Sequence, residues 1–116
     1  SGEGRRSRHV TYRVVLLVDS KPGRPGRVVS DVRRRYSDFR YVGRALRNRE
    51  RIGCVVPVLR HVAAISAESK VSDEVVSRRR DDCEEWLNRL LGHPELRDAV
   101  TLRMFLGGDG EFERAR

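Results

Sequence analysis

The feature that most constrains how this chain can fold is a change of hydrophobic period at Arg34-Arg35-Tyr36-Ser37. Upstream, Val28, Ser30 and Val32 alternate with Val29, Asp31 and Arg33, the pattern of a half-buried strand that runs into Arg35 or Tyr36. Downstream, Phe39, Val42 and Leu46 recur at helical spacing, Ser37 is a good N-cap and Asp38 complements the positive end of a helix dipole. A guanidinium and an aromatic ring therefore meet at a strand end beside a helix N-terminus, where backbone amides and planar donors can face a phosphate together. Two readings stay open at this point. Arg35 and Tyr36 clamp a phosphorylated ring, or Arg33 to Arg35 form a solvated basic run and Tyr36 is a core aromatic.

The rest of the chain builds outward from that junction. Val10, Tyr12, Val14, Leu16 and Val18 share one face of a preceding strand and Val15 and Leu17 the other, so this strand is expected to be covered on both sides. Lys21-Pro22-Gly23-Arg24-Pro25-Gly26 is a turn by composition and makes the two strands an antiparallel hairpin. Gly53 ends the first helix, and Pro57 keeps Cys54 to Leu59 extended. Residues 60 to 70 form a loop with an apolar tract, Val62-Ala63-Ala64-Ile65. Ser72 or Asp73 caps a long helix that reaches Leu91 and stops at Gly92, with Pro94 beyond; a short helical stretch covers Glu95 to Leu106. Strands first and helices afterwards predict an α+β domain, a small antiparallel sheet packed against a helical subdomain. Residues 1–8 are expected to be disordered, 9–106 to form the domain, and 107–116 to be a flexible tail or linker.

At 116 residues there is room for one modest core. The apolar runs are too short for a leader or a membrane span, so a soluble, cytoplasmic protein is expected. Cys54 and Cys83 make no disulfide framework, and with His61 and His93 they lack zinc-site spacing, so neither metal nor cofactor is predicted. The net charge of +8 is unevenly placed: residues 1 to 60 hold 16 Lys and Arg against 5 Asp and Glu, and residues 61 to 116 hold 9 against 12. A basic half points to a polyanionic partner, an acidic membrane or a nucleic acid. Nucleic acid is the weaker choice, because no base-reading motif is present and aromatic platforms are few. An enzyme is not expected, since no nucleophile and base stand at a recognisable spacing and no phosphate-cradling glycine loop precedes a helix.

On the long helix, Val76, Cys83, Trp86, Leu87, Leu90 and Leu91 make the apolar stripe, and Arg79 lies on it. An inward-facing arginine needs an anion or several acceptors. The plainer reading is a pair with Asp82 or a stem that snorkels near the helix start. Arg78, Asp81, Glu85 and Arg89 read as an exposed, mutually paired face.

Together these residues resemble the phosphoinositide-binding PX (phox-homology) domain, in particular that of sorting nexins, over about residues 9 to 106. The resemblance rests on Val32 to Phe39, on Val55-Val56-Pro57-Val58-Leu59, on Arg79 through Trp86-Leu87 to Gly92-His93-Pro94, and on Met104-Phe105-Leu106. It implies a meander sheet packed on helices with a headgroup pocket between them. Arg35 would bind the 3-phosphate of the inositol ring, Tyr36 would form the floor under the ring, and Arg79 would bond its 4- and 5-hydroxyls. The family's loop lysine for the 1-phosphate is replaced by Val62; Arg60 is the first substitute, then His61, with Lys70 more distant. Val62, Ala63, Ala64 and Ile65 would be the membrane-insertion loop. The family's first strand is not recognisable before Val10, so the sheet is expected to be cut short or differently edged. The implied function is recognition of phosphatidylinositol 3-phosphate on endosomal membranes in protein sorting, by peripheral association, with a second membrane-binding domain or self-association adding avidity. The alternatives are a PX-fold protein-interaction module with weak or no lipid binding, and a basic nucleic-acid-binding domain.

Overall fold

The computed structural model describes residues 10–19, 21–59 and 72–116. The N-terminal segment 1–8 and the positions Arg60, His61, Val62, Ala63, Ala64, Ile65 and Lys70, expected to contact lipid, lie outside the described residues.

The hairpin forms as its sequence dictates. Strand β1 (Thr11–Val18) pairs antiparallel with β2 (Arg27–Arg35), from Thr11 opposite Arg35 to Val18 opposite Arg27, with a register shift between Leu16 and Leu17. In the connection, Lys21 and Arg24 exchange backbone hydrogen bonds around Pro22-Gly23, and Gly23 takes the positive φ of 77° that this turn requires. These two strands are the whole sheet among the described residues. Tyr12 and Val14 of β1 are buried, whereas Val15 and Leu17 are 39% and 48% exposed, so the expectation of a strand covered on both faces is corrected. Among the described residues the helices pack against the Tyr12 and Val14 face, and the other face carries Arg13 bound bidentately to Asp31 at 2.9 and 2.6 Å.

Four α-helices follow among the described residues: α1 (Tyr36–Ala45), continued by a π-helical stretch over Leu46–Glu50, α2 (Asp73–Leu91), α3 (Val100–Leu106) and α4 (Glu111–Ala115). Helix α1 starts earlier than Ser37 capping predicts. Its N-cap is Arg35, and the carboxylate of Asp38 reaches back to accept the Arg35 backbone N–H at 2.8 Å. Ser72 caps α2 as expected, its Oγ accepting the Val75 N–H at 3.2 Å. The apolar stripe of α2 enters the core through Cys83, Trp86, Leu87 and Leu90. Trp86 lies so close to α1 that a Cβ on Gly43 would sit 3.3 Å from its ring, and its indole N–H donates to the Pro57 carbonyl at 2.8 Å, which ties down the extended segment. Helix α3 begins at Val100, later than Glu95, because a remote residue caps it: the Glu50 carboxylate accepts the amides of Val100 and Thr101.

Beyond Gly107, where a flexible tail or linker is expected, the chain turns at Gly110 and forms α4, whose Phe112 is 2% exposed. Phe112 meets Phe105 edge-on at 5.3 Å and Tyr41 at 5.8 Å, and Phe105 meets Phe39 at 4.9 Å. The signal for this helix is slight: one aromatic, Phe112, in a short charged segment.

The least expected core member is Arg34, 4% exposed. Its guanidinium donates to the carbonyls of Phe105 (2.8 Å), Gly107 (2.9 Å) and Arg33 (3.2 Å) and to the Glu113 carboxylate (2.8 Å). It also lies over the rings of Phe105 and Phe112 at 5.5 and 4.8 Å. Burial of this charge is tolerable because its donors have acceptors and its face has aromatic partners.

Two expectations follow for stability. Arg34→Ala removes a buried ion's bonds and strands its acceptors, so urea unfolding should show a loss of about 3–5 kcal/mol, whereas Arg33→Ala on the solvent face should stay within about 0.5 kcal/mol of wild type. For Glu50, burial pushes the carboxyl upward, but bonds from the hydroxyl and amide of Thr101 and the amide of Val100, with the charge of Arg51, outweigh it and hold the group below its ordinary value. A depressed folded-state value means that the stabilisation is present above the ordinary carboxylate range and is lost as pH falls through the lowered value. The stability gap between wild type and Glu50→Gln should therefore be widest at neutral pH and shrink on acidification.

Candidate functional site

Chain alternation and the strand-to-helix junction together decide where the basic run points. On β2, Val32 and Arg34 face inward, while Arg33 and Arg35 share the outer face. Extending the alternation of Val28, Ser30 and Val32 by one step would have singled out Arg34 in the sequence; its likeness to its neighbours hides it. Arg35 is the last residue of β2 and the N-cap of α1, so its side chain stands exposed at the mouth of the helix while its backbone is fixed by Asp38. Tyr36 begins the helix and is buried.

Arg79, on the first half of α2, is brought to this junction. Its guanidinium lies over the Tyr36 ring, 4.3 Å from the centroid. Two distant stretches of the chain are thereby joined: Arg35 and Tyr36 are neighbours in sequence, and the packing of α2 on α1 brings Arg79 to them. Half-burial of Arg79 agrees with its place on the apolar stripe. A stack engages the flat face of a guanidinium, whereas hydrogen bonding uses its rim, so the geometry suits a donor plate held beside a ring. Arg60 and His61, the candidates for a further phosphate contact, and the Val62-Ala63-Ala64-Ile65 tract lie outside the described residues.

The electrostatics around the junction are strongly positive. Asp31 is the single acidic residue of the two strands, and the bonds from Arg13 hold its carboxyl below the ordinary range. Arg33 and Arg35 remain on that face, and Arg40, Arg44 and Arg47 are exposed along α1 and its extension. A depression of about 570 Å³ opens between Thr11, Arg33, Arg35, Ser37, Glu113 and Arg116. By contrast α2 presents a mixed outer face, with Arg78 near Glu74 at 3.7 Å and Arg89 on Glu85 at 3.3 Å.

Neither of the two cysteines is poised as a nucleophile. Burial pushes the Cys83 thiol up to about 12, and a hydrogen bond to Glu95 raises that of Cys54, so both are protonated at neutral pH and are poor nucleophiles. No group of three or more His, Cys, Asp and Glu among the described residues is placed to hold a metal ion. Nor is any described helix long and apolar enough to cross a membrane.

Comparison with known proteins identifies the family. A family model described as PX domain matches residues 24–109. Sorting nexin-3 of Eremothecium gossypii is 35% identical over 99 residues, covering 82% of this chain and 58% of that protein, and sorting nexin-3 of Mus musculus is 34% identical over 66% of this chain and 50% of its own. Vacuolar protein sorting-associated protein vps5 of Schizosaccharomyces pombe is 32% identical over 65% of this chain, which is 12% of its length. The chain thus spans about half the length of the sorting nexins that it matches. Among solved structures, one described as an X-ray structure of a designed CISK-PX domain superposes with a TM-score of 0.67 at 28% identity, covering 93% of this chain and 91% of that one.

The stack makes a prediction of its own. Arg79→Ala should lower stability by about 0.5–1 kcal/mol and alter the near-ultraviolet circular dichroism of Tyr36. Arg79→Lys should recover only part of the signal, because an ammonium has no flat face. Equal behaviour of the two variants would show that charge alone holds the contact.

Proposed function

Because the chain belongs to the PX-domain family, with an α+β fold of the sorting-nexin type, we propose that it is a phosphoinositide-binding module that places its host protein on membranes during trafficking, with phosphatidylinositol 3-phosphate of endosomal membranes as its preferred lipid. The observation that carries this reading is the meeting of Arg79 with Tyr36 at the strand end that presents Arg35. In this reading Arg35 takes the 3-phosphate at the start of α1, where oriented amides favour an anion. Tyr36 supports the inositol ring, and the rim of Arg79 bonds its hydroxyls. The 1-phosphate falls to Arg60 or His61, and Val62 to Ile65 enter the lipid.

Supporting charge comes from the exposed arginines of β2 and α1, which suit an acidic leaflet. Each charge-assisted bond contributes roughly 1.5–3 kcal/mol, and immobilisation offsets several of these, so affinity of roughly micromolar order is expected. Residence at the membrane then depends on avidity, from a second membrane-binding domain or from self-association in the full-length protein. The module performs no chemical step.

The test is co-sedimentation with liposomes at physiological salt, comparing phosphatidylinositol 3-phosphate with other phosphoinositides and phosphatidylserine. Wild type should bind the 3-phosphorylated lipid selectively, and Arg35→Ala should abolish binding with the fold intact by circular dichroism. Binding that ignores inositol phosphorylation and collapses with added salt would favour a general polyanion or nucleic-acid role. Absence of lipid binding would favour a protein-interaction module.

A further inference from the structure

Helix α4 sits where no ligand-binding residue is proposed, yet it touches both flanks of the phosphate-binding arginine. Phe112 anchors it in the core against Phe105, Tyr41 and the guanidinium of Arg34. From that anchor, Glu113 accepts from Arg34 at 2.8 Å, one residue before Arg35. Arg116, one helical turn further, pairs with Oδ1 of Asp38, and the other oxygen of that carboxylate accepts the Arg35 backbone N–H. Arg35 is thus bracketed: the residue before it and the carboxylate that fixes its amide are both held by α4.

We propose that α4 is a strap that positions Arg35, with Glu113 and Arg116 as positioning residues for anion binding. The inference rests on the phosphoinositide reading and adds a control element to it: whatever lifts or modifies the segment from Glu111 to Arg116 loosens the strand end that presents the phosphate donor. Its ends are accessible to such control. Glu113 is 61% exposed and Arg116 about one-third exposed, so the α4 side of each contact is open to solvent while Arg34, Asp38 and Phe112 lie deeper.

Position and charge predict opposite results at one of the two residues, which makes the strap testable. Removing Glu113 deletes a negative charge beside an anion site, so a purely electrostatic role predicts tighter binding of Glu113→Ala. A positioning role predicts weaker binding. The full chain, with variants Glu113→Ala, Arg116→Ala and the pair, would be titrated with soluble inositol 1,3-bisphosphate by calorimetry, alongside amide hydrogen exchange of Arg35 by NMR. The strap predicts weaker binding in each single variant, a loss of about fivefold in the pair and faster exchange at the Arg35 amide, all read at a temperature where every variant remains folded; Arg116→Ala should melt close to wild type, whereas Glu113→Ala should melt lower because it takes an acceptor from buried Arg34. Restoration by Arg116→Lys would agree with a paired cation at Asp38.

Tighter or unchanged binding in Glu113→Ala, with wild type binding normally, would overturn the strap. If wild type itself fails to bind, the phosphoinositide reading fails, and the exchange arm still decides the strap: an Arg35 amide as protected in the double variant as in wild type would overturn it.

Discussion

The buried guanidinium of Arg34 is the interaction on which the arrangement depends. A charge with 4% exposure is stable only while its donors are matched, and the matching groups come from the end of α3, from the Gly107 turn and from α4. One side chain near the end of β2 therefore sews the hairpin to the C-terminal helices. Its aromatic neighbours do the rest, because Phe105 and Phe112 face the cation and also continue the edge-to-face row through Phe39 and Tyr41. The exposed Arg35 next to it inherits a backbone held by the Asp38 carboxylate.

A second set of contacts brings α2 to the same place. Gly43 lets Trp86 approach α1 closely, and the indole N–H fixes the Pro57 carbonyl, so the extended segment leading toward residue 60 is held against α2. This close packing places Arg79 over Tyr36. Site geometry is thus a by-product of core packing: packed elements hold Arg35, Tyr36 and Arg79.

The hairpin, the long helix with its Ser72 cap and its apolar stripe, and the inward lean of Arg79 were legible because each follows from local spacing. The N-cap of α1 lies at Arg35, two residues before the expected Ser37, because the Asp38 carboxylate reaches back to the Arg35 amide; arginine is not a preferred capping residue, so residue type alone does not mark that position. The start of α3 was equally hidden, since its cap is Glu50, separated from Val100 by half the chain. Arg34 was legible in principle from period-2 alternation, but its identity with flanking arginines made it look like solvated charge. The closing helix was not legible, because five residues with one aromatic carry almost no periodic signal.

What the sequence by itself determined is the set of local decisions: where the strand gives way to a helix, which turn joins the strands, which face of α2 is apolar, and that arginine and tyrosine meet at the junction. These depend on residues within a few positions of each other, whose propensities and periods act over single turns and strands. The tertiary structure alone decided which arginine of three is buried, that Glu50 caps a remote helix, that Arg79 stacks on Tyr36 and that the final segment folds back to bracket Arg35. Those outcomes depend on acceptors and rings supplied from far along the chain. A charged side chain's burial is settled by its partners, and partners that are distant in sequence are chosen only when the whole core closes.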